Sequence, residues 1–160
     1  MTEAEQAVAA LRNGFTCVFM RGGLLHTSKA TGIRPLLDWL AEDPACFEGA
    51  FVADKILGKA AALLLLRGGL DRSAGGVYGE VLSDGAARIL EQHGIPYTCG
   101  SRVPYIINRR GDGVCPMERQ VRDIDDPAAA HAALLAAAAA IGASSPDQPG
   151  SAREETEREP

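Results

Sequence analysis

Basic charge is the first thing this chain lacks. Its 16 Lys and Arg stand against 21 Asp and Glu, a formal net charge of -5. Phosphate backbones are held by clustered Lys and Arg, so a nucleic-acid partner is not expected. Four cysteines, Cys17, Cys46, Cys99 and Cys115, are scattered without a C-x-x-C pair. That spacing suggests neither a zinc knuckle nor a disulfide framework, and they read as reduced cytosolic thiols. The longest apolar run, Ala60 to Leu66, is far below the ~20 residues a bilayer-spanning helix needs, so no membrane partner is expected. The opening M-T-E-A-E-Q-A-V-A-A-L-R is acidic and amphipathic, unlike the basic start and apolar run of a secretory signal. A cytoplasmic location is the expectation.

What is present reads as one ordinary domain of residues 1–141 followed by a tail, 142–160, rich in Ser, Pro, Glu and Arg and expected to be disordered. Ala4, Val8 and Leu11 repeat at helical spacing from Glu3 to Asn13, before Gly14. F-T-C-V-F-M and L-L-H-T-S flank R-G-G, the pattern of a hairpin. A helix is predicted over 32–42, with Pro35 in its first turn. G-A-F-V-A-D has the composition of a buried central strand, and a helix is predicted directly after it, from about Lys55 to Arg67. V-Y-G-E-V-L-S alternates as a strand does, and D-G-A-A-R-I-L-E-Q-H-G reads as the next helix. Proline-broken strand pieces follow in I-P-Y-T-C and V-P-Y-I-I-N, then a short helix at 116–121 and an alanine-rich helix to Ile141. A hairpin followed by alternating strands and helices predicts an α/β fold of three α-β-α layers, with a mixed sheet of about five strands.

Two clusters could carry chemistry. G-K at 58 and 59 falls at a strand-to-helix junction, but a phosphate loop would need glycine at Ala53 and Ser or Thr at Ala60. Read physically, Asp54 is expected to cap the helix, with Lys55 and Lys59 on one side of its first turns. A lysine pair there opposes the helix dipole and becomes favourable when an anion binds between the ammonium groups and the free amides. The bland alternative is a solvated Lys55 and a Lys59 that snorkels or pairs. The second cluster is N-R-R-G-D-G-V-C-P-M-E. Cys115 precedes a first-turn proline with Glu118 three residues on, the spacing of a capping box, and a thiol at a helix N-terminus has its thiolate stabilised. Asn108 and Arg109 stand just before it, and an Arg can fork onto a carboxylate or phosphate. His26, His93 and His131 have no ligand spacing and read as structural.

V-P-Y-I-I-N-R, G-x-x-C-P-M-E and D-I-D-D-P, with V-A-D-K-x-x-G-K-A-A-A and T-S-K-x-x-G-I-x-P-L-L upstream, resemble the domain-of-unknown-function family numbered 1893 over about residues 4 to 139. The resemblance implies a cytidine deaminase-like fold. True deaminases carry zinc-binding residues at the positions that here read Ala53-Asp54-Lys55 and Leu82-Ser83-Asp84-Gly85, so the resemblance implies a metal-free site without hydrolytic deamination. By the same layout Ser83 and Asp84 would form a second wall opposite Asp54, Lys55 and Lys59. The expected function is binding of a small anionic, nucleotide-like or phosphorylated ligand, without a cofactor. Asn108, Arg109, Cys115 and Glu118 would join that site only if the last loop folds back. Two alternatives stay open: an enzyme with Cys115 as nucleophile or Lys55 as base, and a structural protein that forms a homodimer through an exposed sheet edge.

Overall fold

The structure, a computed structural model, describes residues 1–144. The tail expected to be disordered lies, beyond Ser144, outside them. Helix α1 (Glu3–Arg12) leads into a hairpin of β1 (Cys17–Arg21) and β2 (Leu24–Ser28). Then come α2 (Arg34–Glu42), β3 (Phe51–Leu57), α3 (Lys59–Arg67), β4 (Val77–Ser83), α4 (Asp84–Gln92) and β5 (Tyr97–Val103). Two further helices, α5 (Pro116–Gln120) and α6 (Pro127–Ser144), complete the described chain. The five strands form one sheet in the order β2-β1-β3-β4-β5. β1 is antiparallel to both β2 and β3, whereas β3, β4 and β5 run parallel. This is the mixed α/β sheet that the element order predicts.

Local chemistry accounts for most boundaries. Thr2 and Glu5 form a reciprocal capping box at the start of α1. Gly22 and Gly23 have φ of 57° and 80°, the pair of positive angles a two-residue hairpin turn requires. Ser83 closes β4 and caps α4, accepting from the Ala86 amide at 3.1 Å.

The two sheet faces are covered unequally. α1 alone packs Ala7, Ala10 and Leu11 against Val18, Met20, Phe51, Ala53 and Tyr78. On the other face α2, α3, α4 and α6 build the main core, around Leu36, Leu64, Ile89 and Leu134. α3 is buried nearly all round, from Lys59 to Leu65, as expected for a helix enclosed by a sheet and other helices. His26 serves packing, stacked on Phe19 with ring centroids 4.2 Å apart. Among the described residues no helix is long and apolar enough to cross a membrane.

Two sequence expectations are corrected. The helix expected from Lys55 begins at Lys59, because β3 continues through Leu57 and holds Asp54 and Lys55 as strand residues. Strand pairing on both sides decides this: Cys17 pairs with Asp54 on β1, the Lys55 amide donates to the Thr16 carbonyl at 3.0 Å, and Ile56 and Leu57 pair with Val81 and Leu82 on β4. Of the second strand piece, V-P-Y-I-I-N, only Val103 belongs to the sheet, as the last residue of β5; from Pro104 on the chain leaves it, and an isolated bridge joins Ile107 to Val114.

Candidate functional site

The parallel strands β3, β4 and β5 deliver their carboxyl ends to one edge of the molecule, the usual place for ligands in open α/β sheets. Residues 104–126 gather there. The N-cap of α3 is Gly58, which brings no side chain to the helix amides. They are met instead by Glu118: the Lys59 amide donates to its Oε1 at 2.9 Å and the Ala60 amide to its Oε2 at 2.8 Å. A carboxylate from α5 thus sits where the first turn of α3 concentrates positive potential. Burial pushes the Glu118 carboxyl above its usual range, against the pull of those two amides and of Lys59.

Gly58 makes the approach close. Its φ of -99° suits any residue, but a Cβ there would stand 2.6 Å from the Glu118 carboxyl carbon. Gly58→Ala is therefore expected to push Glu118 off the amides and destabilise the chain by ~1 kcal/mol, a partial loss of one cap. Amide exchange of Lys59 and Ala60 would speed up while that of α1 stays unchanged, as hydrogen-exchange NMR would record.

Lys59 has a structural partner. It is 7% exposed, and its ammonium lies 2.8 Å from the Asp125 carboxylate and donates to the Arg122 carbonyl at 3.0 Å. Asp125 also pairs with Arg88, and both cations hold its carboxyl down at about 2. Lys55 is exposed and lies apart from Lys59, lining a shallow cleft of about 310 Å³ with Leu11, Arg12 and Glu80. The expected lysine pair is therefore absent: a residue on β3 and the first residue of α3 share no helical face.

Asp54 does not cap α3. It is a strand residue, 5% exposed, whose Oδ1 accepts a long bond from the Ile56 amide, 3.4 Å, with the Lys55 amide also acting on the carboxyl. Burial raises its carboxyl to about 7.

The capping-box expectation at Cys115 also fails. The residue holds the N-cap position of the single-turn α5, but its side chain makes no cap bond, and Glu118 is turned to α3. Burial pushes the thiol up, aided by the Glu118 charge, and outweighs the lowering by the Glu118 and Met117 amides and by Arg109. Alkylation of Cys115 by iodoacetamide is accordingly expected to be slower at pH 7 than that of a free thiol and to rise steadily with pH without levelling off below the usual thiol range; a fast reaction at pH 7 would contradict this placement.

The other expected residues fall into two groups. Arg109 donates to the Thr31 hydroxyl at 2.5 Å, tying the last loop to the segment after β2, and its charge acts on Cys115. Asn108 shapes that loop, accepting from the Gly111 and Asp112 amides. On the neighbouring helix Ser83 is occupied as the α4 cap, and Asp84 pairs with Arg102 at 2.7 Å. A Cβ at Gly85 would lie 3.3 Å from that of Lys59, so α3 and α4 start side by side. The last segment folds back as far as Glu118, which reaches the start of α3; Cys115 stands beside Glu118 on α5, Arg109 turns to Thr31, and Lys55 stands elsewhere. Sequence reasoning missed Asp125, Arg88 and Thr31. D-I-D-D-P signalled the first only as part of the family pattern, and nothing marked the other two. Among the described residues no group of three or more His, Cys, Asp or Glu side chains is placed to hold a metal ion.

Fold and site together define an α/β protein with a mixed five-stranded open sheet and a carboxylate-occupied helix N-terminus at its carboxyl edge. The chain belongs to the family described as Domain of unknown function (DUF1893), whose profile matches residues 7–136. It is similar in fold to the crystal structure of a DUF1893 family protein from Thermotoga maritima, with a TM-score of 0.75 and 24% identity over 84% of this chain and 88% of that one. No curated protein matches.

Proposed function

We propose that this protein binds a small anionic ligand, nucleotide-like or phosphorylated, at the start of α3, and that Glu118 is the internal carboxylate that keeps the place until the ligand takes it. The observation that carries this reading is the pair of amides, Lys59 and Ala60, converging on two oxygens of one carboxylate that comes from 58 residues further along than Ala60. Two donors aimed at a two-oxygen anion beside a helix dipole also suit a phosphoryl group or a ligand carboxylate. Arg109 lies near enough to act on Cys115 and would supply a cation to the same group. The proposal includes a cytidine deaminase-like architecture in which Ala53-Asp54-Lys55 and Leu82-Ser83-Asp84-Gly85 replace zinc-binding positions, and a cytoplasmic setting. The raised Cys115 thiol, and the exposed position of Lys55 in the cleft beside Arg12 and Glu80, favour binding over nucleophile or base chemistry.

Thermal-shift and calorimetric titration of the full chain with inorganic phosphate, nucleoside monophosphates and sugar phosphates tests the reading. The expected result is a concentration-dependent stabilisation by at least one phosphate compound, with the Lys59 and Ala60 amide signals moving on binding. Absence of any stabilisation by these compounds, or binding that leaves those two amides fixed, would overturn it.

A further inference from the structure

Asp54 is the last of four buried residues that open β3, just before the exposed Lys55 and Ile56, and a buried carboxyl is costly unless paired. It is 5% exposed, and among the described residues the donors to its side chain come from its own neighbourhood: the Ile56 amide at 3.4 Å and the Lys55 amide. From β1 the Cys17 thiol faces it directly across the strand pair. From β4 its partner is Gly79, which offers no side chain. The core holding Cys17 is otherwise apolar, with Leu36 and Leu40 from α2 and Leu63, Leu64 and Leu65 from α3. The charged groups nearest in sequence are engaged elsewhere: Lys59 with Asp125, and Lys55 exposed beside Arg12 and Glu80. No cation or side-chain amide bonds Asp54 among the described residues.

The strand is irregular immediately beyond it. Asp54 pairs with Gly79 and Ile56 with Val81, but the ladder passes over Lys55 and Glu80; the next pair of strands likewise passes over Glu80 and Gly100. One row is thus interrupted across three strands, and it lies between Asp54 and the Gly58 cap of α3. A Cβ at Gly100 would stand 2.7 Å from the Glu80 carbonyl, so the row is also tightly drawn.

We propose that Asp54 is a proton-driven hinge: gain or loss of its proton changes the pairing of Ile56 and Leu57 and shifts the amides at the start of α3. Neutral, the carboxyl fits between a thiol and a glycine with only the neighbouring Ile56 and Lys55 amides as donors. Ionised, it must gather donors, and those at hand are the Ile56 amide and the Lys55 amide; the latter is shared with the Thr16 carbonyl, so Ile56 has the more freedom to move. Drawing Ile56 inward tightens the turn at the interrupted row and carries Leu57 and Gly58 with it. The high position of the carboxyl, about 7, places this change near neutral pH. The Cys17 thiol is raised well above 9 and stays protonated throughout. The inference is independent of any ligand at Glu118.

NMR of the full chain carrying ¹³C-labelled aspartate, titrated from pH 5 to 9, tests it. The expected result is an Asp54 carboxyl transition near 7 and amide shifts of Ile56 and Leu57 with the same midpoint, while Ala7 and Ala10 of α1 show none. The shifts should persist in Glu118→Gln, which removes the other raised carboxyl at this junction, and in Cys17→Ala. They should vanish in Asp54→Asn. A carboxyl midpoint near 4 would overturn the proposal, as would amides that stay fixed while the carboxyl titrates, or shifts that disappear in Glu118→Gln. The wild-type comparison of carboxyl and amide midpoints decides the matter even if Asp54→Asn does not fold.

Discussion

Glu118→Ala unfolds ~2–3 kcal/mol more readily than the parent chain in urea at pH 7, with an unchanged m value. The figure follows from what the side chain holds. Two backbone donors at the start of a buried helix lose a charged acceptor, and each such hydrogen bond contributes ~1.5–3 kcal/mol. Water reaches the partly buried position and restores part of this, which pulls the sum toward the range of a strong N-cap. Glu118→Gln should fall between the two, because its amide keeps one acceptor oxygen. Gly58 offers no side chain to take over. Added formate or acetate should recover part of the loss in Glu118→Ala and none in the parent, since a small carboxylate can enter the vacated place. A loss below ~0.5 kcal/mol would mean that the contact is a surface ornament, in the range typical of substitutions away from any structural feature.

The same contact shows where reading a sequence reaches its limit. The β1–β2 hairpin, β4 over Val77–Ser83 and α4 from Asp84 are legible because their signals are local: a Gly-Gly turn, period-two alternation, and a Ser cap beside its helix. The start of α3 is not. Asp54-Lys55 before an apolar run looks like a cap and a first turn, yet pairing with β1 and β4 keeps both residues in the strand, and such pairing is set by residues far away in the chain. The true cap lies 59 residues from Lys59, and no spacing rule connects the two. Cys115 and Glu118 were recognisable as a pair, but the helix they serve was not. Glu118 gains more by meeting the orphan amides of a buried nine-residue helix than by closing a box on a single exposed turn.

Asp54→Asn removes a pH dependence of stability that the parent chain carries between pH ~4 and ~7. The sign follows from where the proton sits. In the unfolded chain the carboxyl has its ordinary value of 3.8; in the folded chain burial raises it to about 7. Below pH 4 both states are protonated and the stability is fully present. As pH rises, the unfolded chain releases the proton first, so the folded state holds more protons and stability falls by up to ~1.4 kcal/mol per pH unit. The fall ends near pH 7, once the folded carboxyl has also ionised. Rearrangement of Ile56 and entry of water limit the total to ~2–4 kcal/mol. Glu118, also raised, adds to the same slope, so the residual dependence in Asp54→Asn belongs partly to it. An asparagine has nearly the same shape and stays neutral, but its amide hydrogens find no acceptor beside Cys17 and Gly79 and cost ~1 kcal/mol. The variant should therefore be slightly less stable than the parent at pH 4 and ~1–3 kcal/mol more stable at pH 8, with the curves crossing between pH ~4 and ~5 in urea unfolding followed by circular dichroism. Parallel curves across that range would show that Asp54 ionises at its ordinary value and that the fold tolerates its charge. A crossing would mean that the fold keeps a carboxyl that weakens it at neutral pH, at the strand end that leads into the Glu118 contact, as expected of groups retained for what they do.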